Sequence, residues 1–488
     1  MSYVEPRQAR RRLPRVFRWS LWDFATSETS VLLMGSLLAL AVIVGFLLLA
    51  ASIGPDVWVP MLVLLVISAI SIPFCKLASG RPIDRRLQKL LIIGFALKML
   101  CVFPRYAMNE YAYGRQADAR NYHDGGAVLR QNVHNGIWSV GPSYIAHFPS
   151  ETRFVAYVVG TIYLVTGASQ MASYFLFTWF GWIGLMCCFR AFQVAYPNAP
   201  PYLAAKLIFF LPSLLYWPSS LGKDALMLFG IGLLTLGLTR LMMANKPWLG
   251  LLFVVLGAAP MVEIRPHILL IALAGAGASV IARNAEGAPA SAAIGRFLVL
   301  IAMFPALLFG LSRMNQIFGA SGDNGFDVAT TLNHTSTATA IGGSAFQTQP
   351  VHSPIDMPVA IVNVLYRPFI FEAHNIPSIV SAIEGTVLIA MTIVGARWLW
   401  RMGPEIRRNP VAAFCAGYVI AFVFAFSNIG NAGILSRQRI QVFPVLMILV
   451  AAAAEAHRLN NVAVEADLNP APAHLSLVPN DPRLVTTP

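Results

Sequence analysis

The segment ADARNYHDGGAVL carries the densest set of chemically reactive side chains in this 488-residue chain. It contains Asp118, Tyr122, His123 and Asp124, and on a helix Asp118 and Tyr122 lie one turn apart on the same face. A carboxylate in this position can act as a general base toward a hydroxyl group, or it can ligate a divalent cation. The alternative is a solvated loop with an N-capping aspartate.

Two further segments place charged residues beside prolines that interrupt apolar runs. In LPSLLYWPSSLGKDA a new helix begins near Lys223 and Asp224, and its free N–H groups together with the lysine favour an anion such as phosphate. The alternative is that Asp224 caps the helix and pairs with Lys223. In APMVEIRPHILL, which contains Glu263, Arg265 and His267, either Glu263 and Arg265 form a structural pair or Arg265 binds a phosphate bidentately.

The last two segments combine basic residues with aromatic residues or amides. LYRPFIFEAHN contains Arg367, Glu372 and His374 among aromatic residues, which is typical of carbohydrate and lipid headgroup sites and also of interfacial helices. NIGNAGILSRQRIQVFP contains Arg437 and Arg439 at the start of the last apolar run. The partner of these two arginines is either a phospholipid headgroup or the phosphate of a lipid-linked substrate.

Transmembrane helices are the elements that must position these residues. The chain is 57% hydrophobic and only 12% charged, with a mean hydropathy of +0.64, whereas soluble domains are about 25% charged. This composition excludes a soluble globular enzyme and predicts an all-α polytopic membrane protein with about twelve transmembrane helices. The predicted spans cover residues 31–52, 60–78, 88–104, 171–189, 203–218, 224–242, 248–262, 267–282, 294–312, 379–397, 411–427 and 438–457.

The net charge of +13 follows the positive-inside pattern, because the basic residues lie next to apolar spans rather than on a soluble face; nucleic acid is therefore not an expected partner. We predict an inner (plasma) membrane protein with both termini in the cytoplasm. Its parts are a basic N-terminus with an interfacial helix (1–30), a transmembrane domain (31–457) and a disordered tail (458–488). The two large outer loops are 105–152, with juxtamembrane helices, and 313–378. The stretch Phe154 to Thr166 is expected to lie on the outer surface. All the polar segments then fall on the outer side, which predicts a cavity that opens outward.

Over roughly residues 88–457 the chain resembles the GT-C superfamily of membrane glycosyltransferases. DARNYH resembles the acidic part of the first outer loop of that superfamily, Phe154 to Gly167 its juxtamembrane helix, and PSLLYWPSSLGKDA an outer break between later spans. The ending NxGxLxRQRxQxxP also resembles bacterial exopolysaccharide and O-antigen polymerases. The chain departs from the pattern of that superfamily in two ways. Two spans precede the one that leads into the acidic loop, and no large C-terminal soluble domain is present.

The resemblance implies inverting transfer of a sugar from a polyprenyl-phosphate donor to a glycan or lipid acceptor, with no cofactor beyond an optional divalent cation. Asp118 would remove the acceptor proton, assisted by His123 or Asp124. The predicted substrate-binding residues are Tyr122, Lys223, Asp224, Glu263, Arg265, His267, Arg367, Glu372, His374, Arg437 and Arg439. Within that set Arg265, Arg437 and Arg439 would hold the phosphate, with Lys223 as an optional fourth residue. Three other functions remain open: a polysaccharide polymerase or ligase, a lipid-linked saccharide transporter and a structural subunit.

Overall fold

The computed structural model describes residues 55–80, 82–112, 118–138, 148–282, 290–318, 346, 351, 353–373 and 376–468. The chain divides into two units, residues 1–59 and 60–488, and of the first unit only residues 55–59 are described. The described residues are helical, with no strand among them, as the composition predicts.

Eighteen α-helices follow one another along the described part of the chain. They are α1 (Pro55–Ala78), α2 (Arg85–Leu100), α3 (Val102–Ala107), α4 (Asp118–His134), α5 (Ser150–Thr166), α6 (Gln170–Ala195), α7 (Tyr202–Phe210), α8 (Pro212–Tyr216), α9 (Lys223–Met242), α10 (Pro247–Ile264), α11 (Pro266–Ile281), α12 (Ala290–Phe318), α13 (Met357–Tyr366), α14 (Ile376–Val394), α15 (Ala396–Arg408), α16 (Pro410–Phe426), α17 (Ala432–Gln438) and α18 (Phe443–Leu468). A π-helix (Met108–Ala112) continues α3, and 3₁₀ turns occur at Pro354–Asp356, Ile370–Glu372 and Arg439–Gln441.

Six helices of the described chain are long and apolar enough to cross a membrane, or seven if a bent pair is one span. The bent pair is α14 and α15, which meet at 64°. The predicted number of about twelve is not confirmed, because several predicted spans form shorter helices; α11 has 16 residues and α16 has 17. The predicted span 31–52 lies outside the described residues.

The predicted span 203–218 is wrong as a single helix, because it breaks between α7 and α8. Leu211 has an extended backbone (φ −68°, ψ 124°), as expected for a residue that precedes a proline. The buried side chain of Lys98 on α2 reaches this break, and its Nζ donates hydrogen bonds to the carbonyl oxygens of Leu214 (2.5 Å) and Leu215 (3.2 Å). The amino group of Lys98 thus donates to two backbone acceptors of the broken helix.

Helices α6 and α9 pack backbone against backbone at the centre of the described helices. A Cβ atom on Gly184 would lie 2.2 Å from the Leu228 carbonyl oxygen, and one on Gly232 would lie 2.1 Å from the Gly184 carbonyl oxygen. Small residues of this kind let two apolar helices approach closely. The contact fixes α9, whose first residues carry the site described below.

Three predicted segments differ from the structure at their ends. The expected disordered tail from residue 458 is wrong at its start, because α18 continues to Leu468 and Arg458 pairs with Glu455 one turn earlier at 2.6 Å. The residues after the predicted span 379–397 are helical as well, because α15 runs from Ala396 to Arg408. The stretch Phe154 to Thr166 forms most of α5, which is not among the helices long and apolar enough to cross a membrane. Its place on the membrane surface stays a prediction.

Candidate functional site

Asp224, at the start of α9, is a buried carboxylate bound by two arginines from distant parts of the chain. Its side chain is 1% exposed. Arg437 Nε donates a hydrogen bond to Asp224 Oδ2 at 2.5 Å, and Arg265 Nη1 lies 3.4 Å from Asp224 Oδ1. The side chains of Arg265 and Arg437 are 12% and 32% exposed. The electrostatic attraction of Asp224 raises the pKa of Arg437 above its ordinary value, so this guanidinium is charged.

The arrangement of α9, α10 and α17 brings these three residues together. Helix α10 returns antiparallel to α9 after a turn at residues 243–246, so Arg265 at the end of α10 comes back to the start of α9. Arg437 lies in the last turn of α17. Asn431 caps the start of α17, since its Oδ1 accepts hydrogen bonds from the N–H groups of Gly433 (2.9 Å) and Ile434 (3.1 Å).

Tyr122 on α4 adds a buried hydroxyl to this group. The residue is 1% exposed, and its hydroxyl has no hydrogen-bond partner among the described residues. Burial, followed by the charge of Asp118, raises the pKa of Tyr122, so the hydroxyl is a neutral hydrogen-bond donor. Asp118 itself is exposed, at the first turn of α4, and interacts electrostatically with Tyr122, Arg437 and Arg265.

Lys223 pairs with a residue that the sequence did not single out. Its Nζ lies 3.6 Å from Glu151 Oε1 in the first turn of α5, whereas its neighbour Asp224 is held by the arginines. The alternative in which Lys223 pairs with Asp224 is therefore wrong. Lys223 also interacts electrostatically with Asp118 and Arg265, which places it at the edge of the same group.

Arg105 is a site residue that sequence reasoning missed. It is 5% exposed, and its guanidinium carbon lies 5.4 Å from the ring centre of Tyr216 and 5.1 Å from that of Trp217. It interacts electrostatically with Asp224, while its Nε and Nη1 atoms have no hydrogen-bond partner among the described residues. The sequence signal was present: Arg105 follows an apolar run directly after Pro104.

His123 and Asp124, the predicted assistants of Asp118, belong to a second group on the other face of α4. His123 Nδ1 lies 2.6 Å from the hydroxyl oxygen of Tyr163 on α5, and Asp124 Oδ2 accepts a hydrogen bond from Arg120 Nε at 3.0 Å. Burial raises the pKa of Tyr163, so its hydroxyl stays protonated. The His123–Tyr163 contact joins α4 to α5, the Arg120–Asp124 pair lies within α4, and both contacts direct the two side chains toward partners other than Asp224.

The remaining predicted residues lie in other surroundings. Arg367 and Glu372 bind each other, with Nη2 and Oε1 2.6 Å apart, and Arg367 lies over the ring of Phe346. Arg439 is fully buried; its Nη1 donates to the Leu365 carbonyl oxygen at 2.8 Å. His267 follows the α10–α11 break, with its ring 6.0 Å from that of Phe426, and Glu263 lies in the last turn of α10. His374 lies outside the residues that the structure describes.

The central feature of the site is the buried carboxylate of Asp224, with the guanidiniums of Arg265 and Arg437 against it and that of Arg105 interacting with it electrostatically. We name these four residues together with Tyr122 the Asp224 group. The described residues contain no set of three or more His, Cys, Asp or Glu side chains that could hold a metal ion. The chemistry that the Asp224 group supports is the binding of an anion by guanidinium and phenol donors. Comparison with protein-family models, with curated proteins and with solved structures gave no match for this chain.

Proposed function

We propose that this protein is an integral-membrane glycosyltransferase that moves a sugar from a polyprenyl-phosphate-linked donor to a hydroxyl group of a glycan or lipid acceptor. The reaction takes place on the outer face of the inner membrane, in cell-envelope or exopolysaccharide synthesis. The observation that carries the proposal is the surplus of guanidiniums in the Asp224 group.

The charges of the Asp224 group favour a phosphate ligand. Asp224 neutralises one of the three guanidiniums and orients two of them, Arg265 and Arg437. The guanidinium of Arg105 is buried and those of Arg265 and Arg437 are partly buried near the ends of apolar helices, where an unpaired cation is unfavourable. A phosphate on a lipid carrier supplies the missing negative charge, and guanidiniums bind phosphate bidentately.

Three observations support Asp118 as the base in this proposal. It lies one helical turn before Tyr122, is exposed to an incoming acceptor and interacts electrostatically with Arg265 and Arg437. The acceptor oxygen forms a bond to the anomeric carbon while the bond from that carbon to the phosphate oxygen breaks. The electron pair of the broken bond goes to the phosphate, and the acceptor proton goes to Asp118. The arginines stabilise the leaving phosphate, and attack from the opposite face inverts the configuration.

The experiment that tests this proposal measures release of polyprenyl phosphate by the purified protein in nanodiscs, from a panel of polyprenyl-phosphate-linked hexoses and pentoses supplied together with a panel of glycan and lipid acceptors that carry free hydroxyl groups. We expect Asp118→Asn to abolish release while the protein keeps its melting temperature. Asp84→Asn is the matched control, because Asp84 caps the start of α2, a helix about 24 Å long, and does not belong to the Asp224 group. An active Asp118→Asn protein would refute Asp118 as the base.

A polymerase or ligase acting on undecaprenyl-diphosphate-linked repeats is the second candidate, because three guanidiniums also suit the larger charge of a diphosphate. Release of undecaprenyl diphosphate from an undecaprenyl-diphosphate-linked saccharide, supplied as a further substrate in the same assay, would favour it. A transporter of lipid-linked saccharides fits less well, since Asp224 and Arg265 lie at helix ends, whereas carriers bind near the bilayer midplane. Movement of a labelled lipid-linked sugar across proteoliposomes, without any release, would identify a transporter.

A further inference from the structure

Two arginines lie near each other at the end of α9 that is opposite to the Asp224 group. Arg190 is in the last two turns of α6, and Arg240 is in the last turn of α9. Helices α6 and α9 touch at Gly184 and Gly232, and the two arginines follow that contact by about 9 Å and about 12 Å along the helix axes. The arginines interact electrostatically with each other, so both lie on the same side of the contact.

The guanidinium groups of this pair contact two amides and one ring. Arg190 Nη1 donates a hydrogen bond to Gln193 Oε1 at 2.7 Å. Arg240 Nη1 donates to Asn245 Oδ1 at 3.4 Å, and its guanidinium carbon lies 5.7 Å from the ring centre of Phe253. No Asp or Glu side chain of the described residues forms a salt bridge with either arginine. Two like charges are thus close together without a countercharge from the described chain, which favours an anionic ligand.

Both arginines are accessible to such a ligand and are held in place. Each is partly exposed, and the partner of Arg240 in the turn after α9, Asn245, is exposed. The partner of Arg190 is itself fixed, since Gln193 Nε2 donates to the carbonyl oxygen of Ala78 at the end of α1 at 2.9 Å. Donors that are already oriented lose less conformational freedom when an anion binds.

The position of the pair along α9 places it at the edge of the hydrocarbon core. Arg240 follows Asp224 by about 24 Å along the helix axis, and the hydrocarbon core of a bilayer is about 30 Å thick. Trp248, in the first turn of α10, is 68% exposed. Exposed tryptophans at helix ends lie preferentially at the level of the lipid headgroups. The anion that is most abundant at this level is the phosphate of a phospholipid.

The charge of the pair selects among phospholipids. A guanidinium binds a phosphate through two parallel hydrogen bonds, which an ammonium does not provide. A zwitterionic headgroup brings its own cation, which the second arginine repels, whereas an anionic headgroup brings none. Basic residues between transmembrane helices are known to bind the headgroups of anionic lipids.

We propose that Arg190 and Arg240 together bind the phosphate of an anionic phospholipid in the leaflet opposite to the Asp224 group. The Nη groups of both arginines donate to the phosphate oxygens, and the lipid supplies the countercharge that joins the ends of α6 and α9. This site is separate from the Asp224 group and holds whether or not the protein transfers sugars.

Native mass spectrometry of the purified full-length protein measures this binding directly. The delipidated protein in detergent is titrated with phosphatidylglycerol or with phosphatidylcholine of the same acyl chains. We expect the wild-type protein to bind phosphatidylglycerol at least about tenfold more tightly than phosphatidylcholine, the preference that hydrogen bonds to a charged group provide.

Three variants assign the bound lipid to the arginine pair. Arg190→Gln and Arg240→Gln, checked by their melting temperatures, should each bind one phosphatidylglycerol fewer in the high-affinity range, while binding of phosphatidylcholine is unchanged. Arg85→Gln is the matched control, because it removes the same charge from an exposed arginine in the first turn of α2. This control should bind both lipids as the wild-type protein does.

Hydrogen–deuterium exchange distinguishes a lipid phosphate from a free phosphate ion and gives its place. In phosphatidylcholine nanodiscs, addition of phosphatidylglycerol should slow exchange of the amides in the turn between α9 and α10, residues 243–246. Addition of inorganic phosphate without phosphatidylglycerol should leave these amides unchanged. Arg240→Gln should remove the protection, and Arg85→Gln should keep it.

Equal affinity of the wild-type protein for the two lipids would overturn the proposal, and so would phosphatidylglycerol binding that both arginine variants leave unchanged. Protection by inorganic phosphate alone would assign the pair to a soluble anion and overturn the lipid as its ligand. Failure of the Asp118→Asn test would leave these results as they are, because lipid binding requires no turnover.

Discussion

At the scale of single residues, Asp224 shows how a buried charge constrains its neighbours. The carboxylate is almost completely removed from solvent, and two guanidiniums from other segments compensate it. Taking any of these groups out of water is unfavourable, so the ion pairs of Asp224 with Arg265 and Arg437 contribute little net stability. Removal of one member, however, leaves an uncompensated buried charge. We therefore expect the Asp224 group to be far more sensitive to loss of the acid than an exposed ion pair is.

The substitution Asp224→Asn should lower the free energy of unfolding by about 3 to 5 kcal/mol, because Arg265 and Arg437 lose their countercharge. Thermal unfolding in nanodiscs, followed by tryptophan fluorescence, measures the effect. Asp124→Asn is the matched control: its pair with Arg120 is 32% and 41% exposed, so its loss should change stability by less than about 1 kcal/mol. Equal shifts for both variants would contradict this account of the Asp224 group.

At the scale of helices, the break between α7 and α8 is held by one side chain of α2. The carbonyl oxygens of Leu214 and Leu215 both accept hydrogen bonds from Lys98 Nζ, and the hydroxyl of Ser219 donates to the Leu215 carbonyl oxygen at 2.5 Å and lies 3.3 Å from the Lys98 carbonyl oxygen. The short helix α8 carries Tyr216 and ends beside Trp217, the two rings under Arg105. Lys98 therefore positions the aromatic wall on which Arg105 lies.

Lys98→Met should loosen α8 locally, because the Leu214 carbonyl oxygen loses the Lys98 donor and the Leu215 carbonyl oxygen keeps only the Ser219 hydroxyl, while the packed methylene chain is kept. We expect the amides of residues 211–219 to exchange with deuterium at least about tenfold faster, and those of α9 to be unchanged. Lys89→Met provides the control, since Lys89 lies on the same helix and is exposed. Exchange in 211–219 that is the same in both variants would show that Lys98 does not hold the break.

The contact between α6 and α9 leads to a second prediction at this scale. Gly232→Ala should reduce the free energy of unfolding by about 3 kcal/mol, because the new methyl group would lie 2.1 Å from the Gly184 carbonyl oxygen and force the helices apart. Gly277→Ala is the control in α11, where the nearest atom to a new Cβ is Met303 Cε at 3.8 Å. There we expect a gain of up to about 1 kcal/mol from helix propensity. Chemical denaturation in detergent compares the two, and a tolerated Gly232→Ala would contradict the close packing.

At the scale of the whole molecule, the sequence predicts the kind of fold well and the pairing of residues poorly. Composition and apolar runs are enough to predict an all-helical membrane-like chain, because helices satisfy their own backbone groups in an apolar medium. The count of spans stays unconfirmed, since hydropathy does not reveal where a proline breaks a run, as it does after Leu211.

The Asp224 group marks the same limit for the site. Asp224, Arg265 and Arg437 each stand out in the sequence as charges beside apolar runs, yet Asp224 and Arg437 are 213 positions apart. Their pairing depends on the antiparallel return of α10 along α9 and on the place of α17, which a single sequence does not specify. Arg105 and Glu151 were missed for the same reason: each becomes a site residue only through a partner on another helix.

The arrangement of the molecule in the membrane can be tested through the two ends of α9. This helix has 20 residues, about 30 Å, which is enough to cross the hydrocarbon core. The Asp224 group lies at its first end, and exposed Asn245 follows its second end. If the Asp224 group faces outward, as the distribution of basic residues predicts, Asn245 lies in the cytoplasm and exposed His134, at the end of α4, lies outside.

In a variant without the five native cysteines, a membrane-impermeant maleimide should therefore label His134→Cys in intact cells. It should label Asn245→Cys only after the cells are permeabilised. The reverse pattern would place the Asp224 group on the cytoplasmic side, where sugar transfer would draw on cytoplasmic donors. Labelling of both positions in intact cells would mean that α9 does not cross the membrane, and the charges at its start would then belong to a surface site rather than to the mouth of a transmembrane cavity.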